Sequence, residues 1–256
     1  PTNDEMDTIL GDLETEGGET IITGDKALQA INRNSATRSG EYRLGLNVDT
    51  SGTDEWNGGD GFSPIGPAED TNFSGSFDGD GHVVSALYIN RSATNYVGLF
   101  GAASRESTIE GVGIESADIS GYSRVAGLVA QNQGGAVRES YVTGTVDGRD
   151  GVGGLIGQYT IYTGDGNGVS DSYATANVTG SINVGGLIGN RFDSGFLNDS
   201  YATGRVEGDD RVGGLIGINV RGTVQQTHAT GRVDGTSNVG GLMGYNNDGT
   251  IVTKSY

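Results

Sequence analysis

A motif that recurs six times severely limits the folds open to this chain. The block Val-Gly-Gly-Leu-Ile-Gly occurs at 152–157, 184–189 and 212–217, and related blocks begin at Val97, Val125 and Val239. A unit of 27 to 32 residues cannot bury a core by itself, whereas stacked units share a continuous one. The repeat therefore predicts an all-β, right-handed parallel β-helix of about 27–28 residues per coil, each coil holding about three short strands. One leucine per copy forms the expected inner ladder: Leu99, Leu128, Leu155, Leu187, Leu215 and Leu242.

A second block follows the later copies and alternates in polarity. In the first of them, Val142 and Val146 share one parity and are predicted to point inward, while Tyr141 has the other parity and points outward. The same outward position recurs in each later coil, so we expect an exposed stacked ladder. Its members are Tyr141, Tyr173, Tyr201, His228 and Tyr256.

Glycine is the commonest residue, with 48 copies in 256 residues, and it follows no three-residue period that would indicate collagen. Val152 and Leu155 are three positions apart, so a flat strand would direct them to opposite faces. Both positions are apolar in the repeat. The Gly-Gly pair between them is therefore predicted to form a corner or bulge that turns both side chains inward.

The charge balance indicates a protein suited to high salt. The net charge is −18, and the cations are thirteen Arg and two Lys. Salt screens the self-repulsion of such a surface, so we expect a halophilic, archaeal source. Nucleic acid is not an expected partner, because phosphate binding needs clustered cations. The chain has no cysteine and no apolar run of membrane-spanning length.

The front of the chain differs from the repeats. Residues 1–20 are acidic and lack periodicity, which predicts a flexible tail. Residues 21–256 are predicted to form a single solenoid domain, with a capping helix and first coils over 21–96 and regular repeats over 97–256. The capping helix is predicted at 26–32, with Asp25 as its cap.

The ordered set of motifs resembles a known family. "FSPIG" at 62–66, "FSGSFDGDGHVV" at 73–84 and "YVGLFG" at 96–101 precede the serial "VGGLIG" units. Together, over about residues 20–256, they resemble GLUG-motif proteins, which are secreted or surface-attached bacterial and archaeal proteins. The motif also occurs in non-catalytic regions of some IgA-specific metallopeptidases and in adhesin-like chains. The resemblance implies a β-helix-like fold and a surface role, and it carries over no catalytic residue.

Several residues nevertheless deserve consideration as sites. Asp78 and Asp80 form a carboxylate pair with His82 nearby, as polysaccharide hydrolysis would require, although the same residues suit a tight turn. A zinc peptidase is not expected, because His82 and His228 form no His-Glu-x-x-His motif. No cofactor is predicted beyond weak calcium candidates, which are Asp165, Asn167, Asp171, Asp78 and Asp80.

Four sequons also fit an exported chain: Asn72, Asn90, Asn177 and Asn198. We therefore expect a non-catalytic, extracellular structural or adhesive cell-surface protein. Its partners would be itself, as a head-to-tail filament or surface-layer subunit, or other surface components. The proposed contact for self-assembly is the strand-like segment 19–23 of a second copy. The alternative is a carbohydrate-binding or polysaccharide-cleaving β-helix that uses the aromatic ladder on glycans.

Overall fold

A computed structural model describes residues 1–161, 167–192, 195–247 and 250–256 of the chain. The described residues are nearly all β and form a parallel solenoid of about six turns, as the repeat predicts. Three short α-helices lie at the amino-terminal end: α1 (Asn3–Asp12), α2 (Asp25–Ala30) and α3 (Ser35–Arg38). Single 3₁₀ turns occupy Ser51–Thr53, Trp56–Gly58 and Glu69–Thr71.

The described strands build four sheets that run along the solenoid, named here sheets 1 to 4. Sheet 1 contains Thr15–Glu16, Glu19–Ile22, Glu41–Leu44, Ser76–Asp78, Thr108–Glu110, Ala136–Arg138, Val169–Ser170, Phe196–Asn198, Gly222–Gln225 and Thr250–Thr253. Sheet 2 contains Val48–Asp49, Val83–Ser85, Tyr88–Asn90, Gly113–Ser120, Tyr141–Asp147, Tyr173–Ala174, Asn177–Thr179, Tyr201–Ala202, Val206–Glu207, His228–Ala229 and Val233–Asp234. Sheet 3 contains Ser123–Ala126, Asp150–Gly153, Ile182–Gly185, Asp210–Gly213 and Ser237–Gly240. Sheet 4 contains Phe100–Ala103, Val129–Asn132, Ile156–Tyr159, Ile188–Arg191, Ile216–Asn219 and Met243–Asn246.

Neighbouring coils are held in register by parallel backbone pairing. Val152 pairs with Val184, and Val184 pairs with Val212. The N–H of Leu155 donates to the carbonyl of Leu187 at 3.0 Å, so these leucines lie directly above one another. Both leucines are fully buried in the shared core. Each coil thus contributes a few side chains to one hydrophobic column that extends along the solenoid.

The expectation of about three strands per coil was wrong, because the chain turns from one sheet to another between Gly153 and Ile156. Asp150–Gly153 belongs to sheet 3 and Ile156–Tyr159 to sheet 4. A Cβ atom on Gly153 would lie 2.0 Å from the carbonyl oxygen of Ile156 and 2.7 Å from the backbone nitrogen of Gly189. Glycine therefore permits the two sheets to approach each other with backbone against backbone. The Gly-Gly pair thus lies at the predicted corner, with Val152 and Leu155 both buried, and this corner divides a third sheet from a fourth.

Helix α1 and the strand Thr15–Glu16 lie within the first twenty residues, for which the sequence predicts a flexible tail. Thr2 caps α1 through a reciprocal capping box with Glu5, and Arg33 pairs with Asp7 at 2.8 Å. Glu19–Ile22 then adds to sheet 1 as a parallel neighbour of Glu41–Leu44. A capping box and one ion pair thus stabilise a helix in an acidic segment that has no apolar periodicity.

Helix α2 covers the first coil, although it begins earlier than predicted. Its amino-terminal cap is Gly24, and Asp25 is its first residue. Leu28 and Ile31 are fully buried against the core. The last coil is different, because Val239 is 45% exposed and Ile251 is 58% exposed. No helix among the described residues is both long and apolar enough to cross a membrane.

Candidate functional site

The aromatic ladder lies on the outer side of sheet 2, where alternation of side chains places it. Tyr141 pairs with Tyr173, Tyr173 with Tyr201, and Tyr201 with His228 in the backbone register. The ring centroids of successive members are 4.9, 4.8, 4.9 and 5.5 Å apart, ending at Tyr256. The first two pairs are parallel within 2°. The rings therefore repeat at the spacing of the strands themselves, about 4.8 Å.

This spacing leaves the internal ring faces inaccessible. Each inner ring has one neighbour on either face, so its edge is what it presents to solvent. The first ring, Tyr141, covers Gly113, whose added Cβ would lie 2.6 Å from the ring. Tyr256, at the other end of the ladder, is 77% exposed. Stacking on a sugar ring needs a free aromatic face, so the inner members of the ladder are poor glycan platforms.

The hydroxyl of Tyr141 has its own partner. It donates to Oε1 of Glu115 at 2.7 Å. Desolvation by burial, together with this hydrogen bond and the carboxylate charge, raises the pKa of Tyr141 to about 12. Burial also raises the pKa of Tyr173. The neutral phenol is thus the stable form at this end of the ladder.

A ladder of buried hydroxyls runs immediately beside the rings. Ser200 accepts a hydrogen bond from the N–H of Ser172 at 3.2 Å and donates to the carbonyl of Asn198 at 2.7 Å. The same pair of bonds recurs at Ser140, which accepts from Val112 N–H and donates to the Arg138 carbonyl. The members Ser140, Ser172, Ser200 and Thr227 are each 1% exposed. The sequence signal was a Ser or Thr before every ladder aromatic, and its role was not predicted.

The residue before each hydroxyl turns the chain between sheets 1 and 2. Glu139, Asp171, Asp199, Gln226 and Lys254 all have φ between 45° and 53°. This left-handed backbone is costly for most residues with a side chain, and Asp and Asn tolerate it best. The hydroxyls of Ser140, Ser172, Ser200 and Ser255 each donate to the carbonyl two residues earlier and so hold this turn in place.

The carboxylate pair at the amino-terminal end is occupied by structural contacts. Asp78 Oδ1 accepts the N–H of Asp80 at 2.7 Å, which closes a tight turn. Asp80 Oδ2 receives a hydrogen bond from Arg43 at 3.0 Å. His82 Nδ1 lies 3.3 Å from Oδ1 of Asn47. These contacts give each group of the proposed catalytic trio a role in the turn.

The calcium candidates stay a prediction. Asp165 lies outside the described residues, while Asn167 and Asp171 are exposed. Within the described ranges, no three His, Cys, Asp or Glu side chains lie close enough together to hold a metal ion. His228 is part of the aromatic ladder, and His82 is in the turn described above.

The four sequon asparagines differ in exposure: Asn90 and Asn177 are exposed, and Asn72 and Asn198 are half-buried.

Comparison with known proteins places these features in context. The family described as the GLUG motif matches residues 121–147. This range is one coil, which begins with a strand of sheet 3 and ends with a strand of sheet 2. A stretch of 135 residues, 52% of this chain, is 44% identical to Halomucin of Haloquadratum walsbyi, and the matched part is 2% of that much longer protein. The solenoid also resembles the crystal structure of a Bacteroides ovatus protein named as a candidate immunoglobulin A1 protease. That match has a TM-score of 0.78 at 21% identity and covers 94% of this chain and 76% of the other. It establishes the fold alone.

Proposed function

Since the chain carries the GLUG motif in a parallel β-solenoid, we propose that it is a non-catalytic structural element of a halophile's cell surface. The observation that carries this proposal is the 44% identity to Halomucin over 135 residues. The name of that relative denotes a mucin of a halophile, and mucins are extracellular. The short matched fraction of the relative suits a module that recurs within, or is appended to, larger surface chains.

The polar columns of the solenoid support a structural role. Rows that resemble functional residues in the sequence make contacts within the coil stack. The aromatics contact each other, the hydroxyls of Ser140, Ser172 and Ser200 bond backbone groups, and Asp78 closes a turn. Such columns stiffen a spacer and need no substrate.

The charge of −18 supports a halophile's surface as the location. In molar salt the Debye length falls to about 3 Å, so carboxylates on neighbouring coils no longer repel each other strongly. We expect the free energy of unfolding to rise from low to molar KCl, with sucrose as a control for a general solute effect. Immunogold labelling of the producing cells tests the location directly. Label confined to the cell interior would refute the proposal.

Self-association is the finer form of this proposal, and the two ends of the solenoid favour different contacts. Val239 and Ile251, in the coil nearest the carboxyl end, expose apolar surface on which another coil can stack, whether from this chain or from a second copy. At the other end, Glu19–Ile22 already has Thr15–Glu16 on one edge and Glu41–Leu44 on the other. A head-to-tail filament through Glu19–Ile22 therefore requires Thr15–Glu16 and α1 to move away.

Analytical ultracentrifugation in molar salt tests this contact. We expect the full chain to associate weakly and a variant lacking residues 1–18 to associate more strongly. The substitution Ile251→Asp should abolish association in both proteins. Equal association of all these variants would exclude the contact, while leaving the surface location to the labelling experiment.

A further inference from the structure

The fold treats the four sequons differently, and this difference bears on covalent modification. In N-glycosylation the side-chain Nδ2 of Asn in Asn-x-Ser/Thr attaches to a glycan, and the hydroxyl two residues later is part of the recognised motif. A folded sequon is therefore a useful acceptor when Nδ2 is exposed and the hydroxyl is reachable. The structure meets these conditions at two of the four sites.

Asn72 has its amide committed to the protein. Its Nδ2 donates to the carbonyl of Glu69 at 2.8 Å and to Oε1 of Gln133 at 3.1 Å. Both amide hydrogens are used, and the side chain is half-buried. Modification here would break two hydrogen bonds and separate the 3₁₀ turn Glu69–Thr71 from the loop that carries Gln133.

Asn198 fails for a different reason. Its sequon hydroxyl belongs to Ser200, which is 1% exposed and is part of the buried hydroxyl ladder. Ser200 donates to the carbonyl of Asn198 itself and accepts from Ser172. Reaching this hydroxyl would require the chain to leave the stack between two coils.

Asn90 and Asn177 meet both conditions. Each lies in a strand of sheet 2 and is exposed, since the buried residues beside them, Ile89 and Val178, take the inward positions. Asn177 accepts the N–H of Arg205 through Oδ1 at 3.1 Å, which orients the amide and leaves Nδ2 directed away from that bond.

The hydroxyls of these two sequons are accessible as well. Ser92 and Thr179 are both exposed. Thr179 lies in the same strand as Asn177 and on the same side of it, because side chains two positions apart share a face. Each of these two sequons therefore presents its amide and its hydroxyl together to solvent.

The two acceptors also share one face of the solenoid. The register of sheet 2 aligns Asn90 with Ser120, Ser120 with Asp147, and Asp147 with Thr179. Asn90 is therefore three coils from the sequon of Asn177, roughly 14 Å at about 4.8 Å per strand. Glycans at both sites would cover the face that bears the aromatic ladder and leave the other three sheets uncovered.

We propose that Asn90 and Asn177 are N-glycan acceptors and that Asn72 and Asn198 stay unmodified in the folded protein. The donor is a glycan linked through a phosphate to a polyprenyl lipid. Nδ2 forms a bond to the anomeric carbon of the sugar, the bond from that carbon to the phosphate oxygen breaks, and the lipid phosphate leaves. The proton lost from Nδ2 passes to a base of the transferase. The modification rests on the export that the proposed surface role requires.

The test exports the full chain from a host that glycosylates Asn-x-Ser/Thr, with an unstructured sequon tag fused to the protein to report that the host is competent. Intact-mass and glycopeptide mass spectrometry should find glycans on the tag, Asn90 and Asn177. Asn90→Gln and Asn177→Gln should each remove one glycan, and so should Ser92→Ala and Thr179→Ala. Asn72→Gln and Asn198→Gln are the matched controls and should leave the mass of attached glycan unchanged.

Two results would overturn the proposal: glycan on Asn72 or Asn198 of the folded chain, or a glycosylated tag on a chain that is bare at Asn90 and Asn177. Peptides covering residues 68–78 and 195–205 should accept glycan in a transferase assay, because they lack the contacts that block these sequons. Peptides that remain unmodified would assign the selectivity to sequence rather than to the fold. A cytoplasmic location of the natural protein would refute the surface role without changing the site selectivity that this experiment measures.

Discussion

Tyr173 lies flat on Tyr201, with ring centroids 4.8 Å apart and ring planes within 1° of parallel. The distance equals the rise from one coil to the next, about 4.8 Å, so the stack follows directly from the strand register. Every coil that adds a ring at this position gains a contact without any change of backbone. The ladder therefore forms a continuous row of stacked rings along the outer side of sheet 2.

Replacing Tyr201 should weaken the solenoid by a predictable amount. The substitution Tyr201→Ala removes stacks with Tyr173 and His228, each worth about 0.5–1.5 kcal/mol. We expect the free energy of unfolding to fall by about 1–3 kcal/mol in urea denaturation. Tyr201→Phe keeps the ring and should lie close to the natural chain. Equal losses for Ala and Phe would assign the effect to the hydroxyl instead of the stack.

Removing a single hydroxyl from the buried ladder should lower the free energy of unfolding measurably. Ser200→Ala leaves the N–H of Ser172 without an acceptor, and an unsatisfied buried donor costs about 1–3 kcal/mol. We therefore expect Ser200→Ala to lower the free energy of unfolding by this amount in urea denaturation, although it removes only one oxygen atom. Thr145→Ala, on the exposed side of the same sheet, is the matched control and should stay within about 0.5 kcal/mol of the natural chain. A neutral Ser200→Ala would mean that water replaces the hydroxyl.

Periodicity in the sequence was enough to predict the solenoid, because residues such as Leu155 and Leu187 are the core and recur at the period of the coil. It could not give the number of sheets. The corner at Gly153 depends on how closely two backbones approach, and a sequence shows that a Cβ is absent but not what lies opposite it. The helix α1 was missed for a related reason. Its capping box and its pair with Arg33 are local polar contacts that no apolar pattern marks.

The position of the candidate site could be predicted from the sequence, but the accessibility of its ring faces and hydroxyls could not. Alternation placed Tyr141 on the outer side of sheet 2, but the availability of its ring face depends on the neighbour at Gly113. The sequons illustrate the same limit. Asn177 and Asn198 have equivalent motifs in the sequence, and they differ in the fold because Asn198 is half-buried and its sequon hydroxyl, Ser200, is buried.

The glycine corner between sheets 3 and 4 should tolerate no side chain. A Cβ on Gly213 would lie 2.0 Å from the carbonyl oxygen of Ile216 and 2.6 Å from the nitrogen of Gly244. Both contacts are to backbone, so the coils must separate to make room. We expect Gly213→Ala to lower the free energy of unfolding by about 3 kcal/mol, the upper range for overpacking. Urea denaturation measures this loss. In the same experiment Gly52→Ala, where no atom lies within 4 Å of the added Cβ, should leave the free energy of unfolding nearly unchanged.

Alkaline pH should destabilise the protein through its buried phenols. Burial raises the pKa of Tyr42 to about 12, and this residue is 4% exposed and donates to the Thr37 carbonyl at 2.6 Å. In the unfolded chain a tyrosine has a pKa of about 10. Between these two values the unfolded state binds fewer protons than the folded state, so the free energy of unfolding falls as pH rises. The contribution is fully present below about pH 10 and is lost by about pH 12.

The expected loss from Tyr42 across this window is on the order of 2 kcal/mol. Urea denaturation at a series of pH values measures it, and absorbance of tyrosinate reports the ionisation itself. Tyr42→Phe should be less stable at neutral pH by about 1 kcal/mol, because it lacks the bond to Thr37, but its stability should fall less between pH 10 and 12. The slope that remains in the variant contains the contribution of Tyr141, whose pKa is also about 12. Identical slopes for the two proteins would show that the Tyr42 phenol ionises in the folded chain as readily as in the unfolded one.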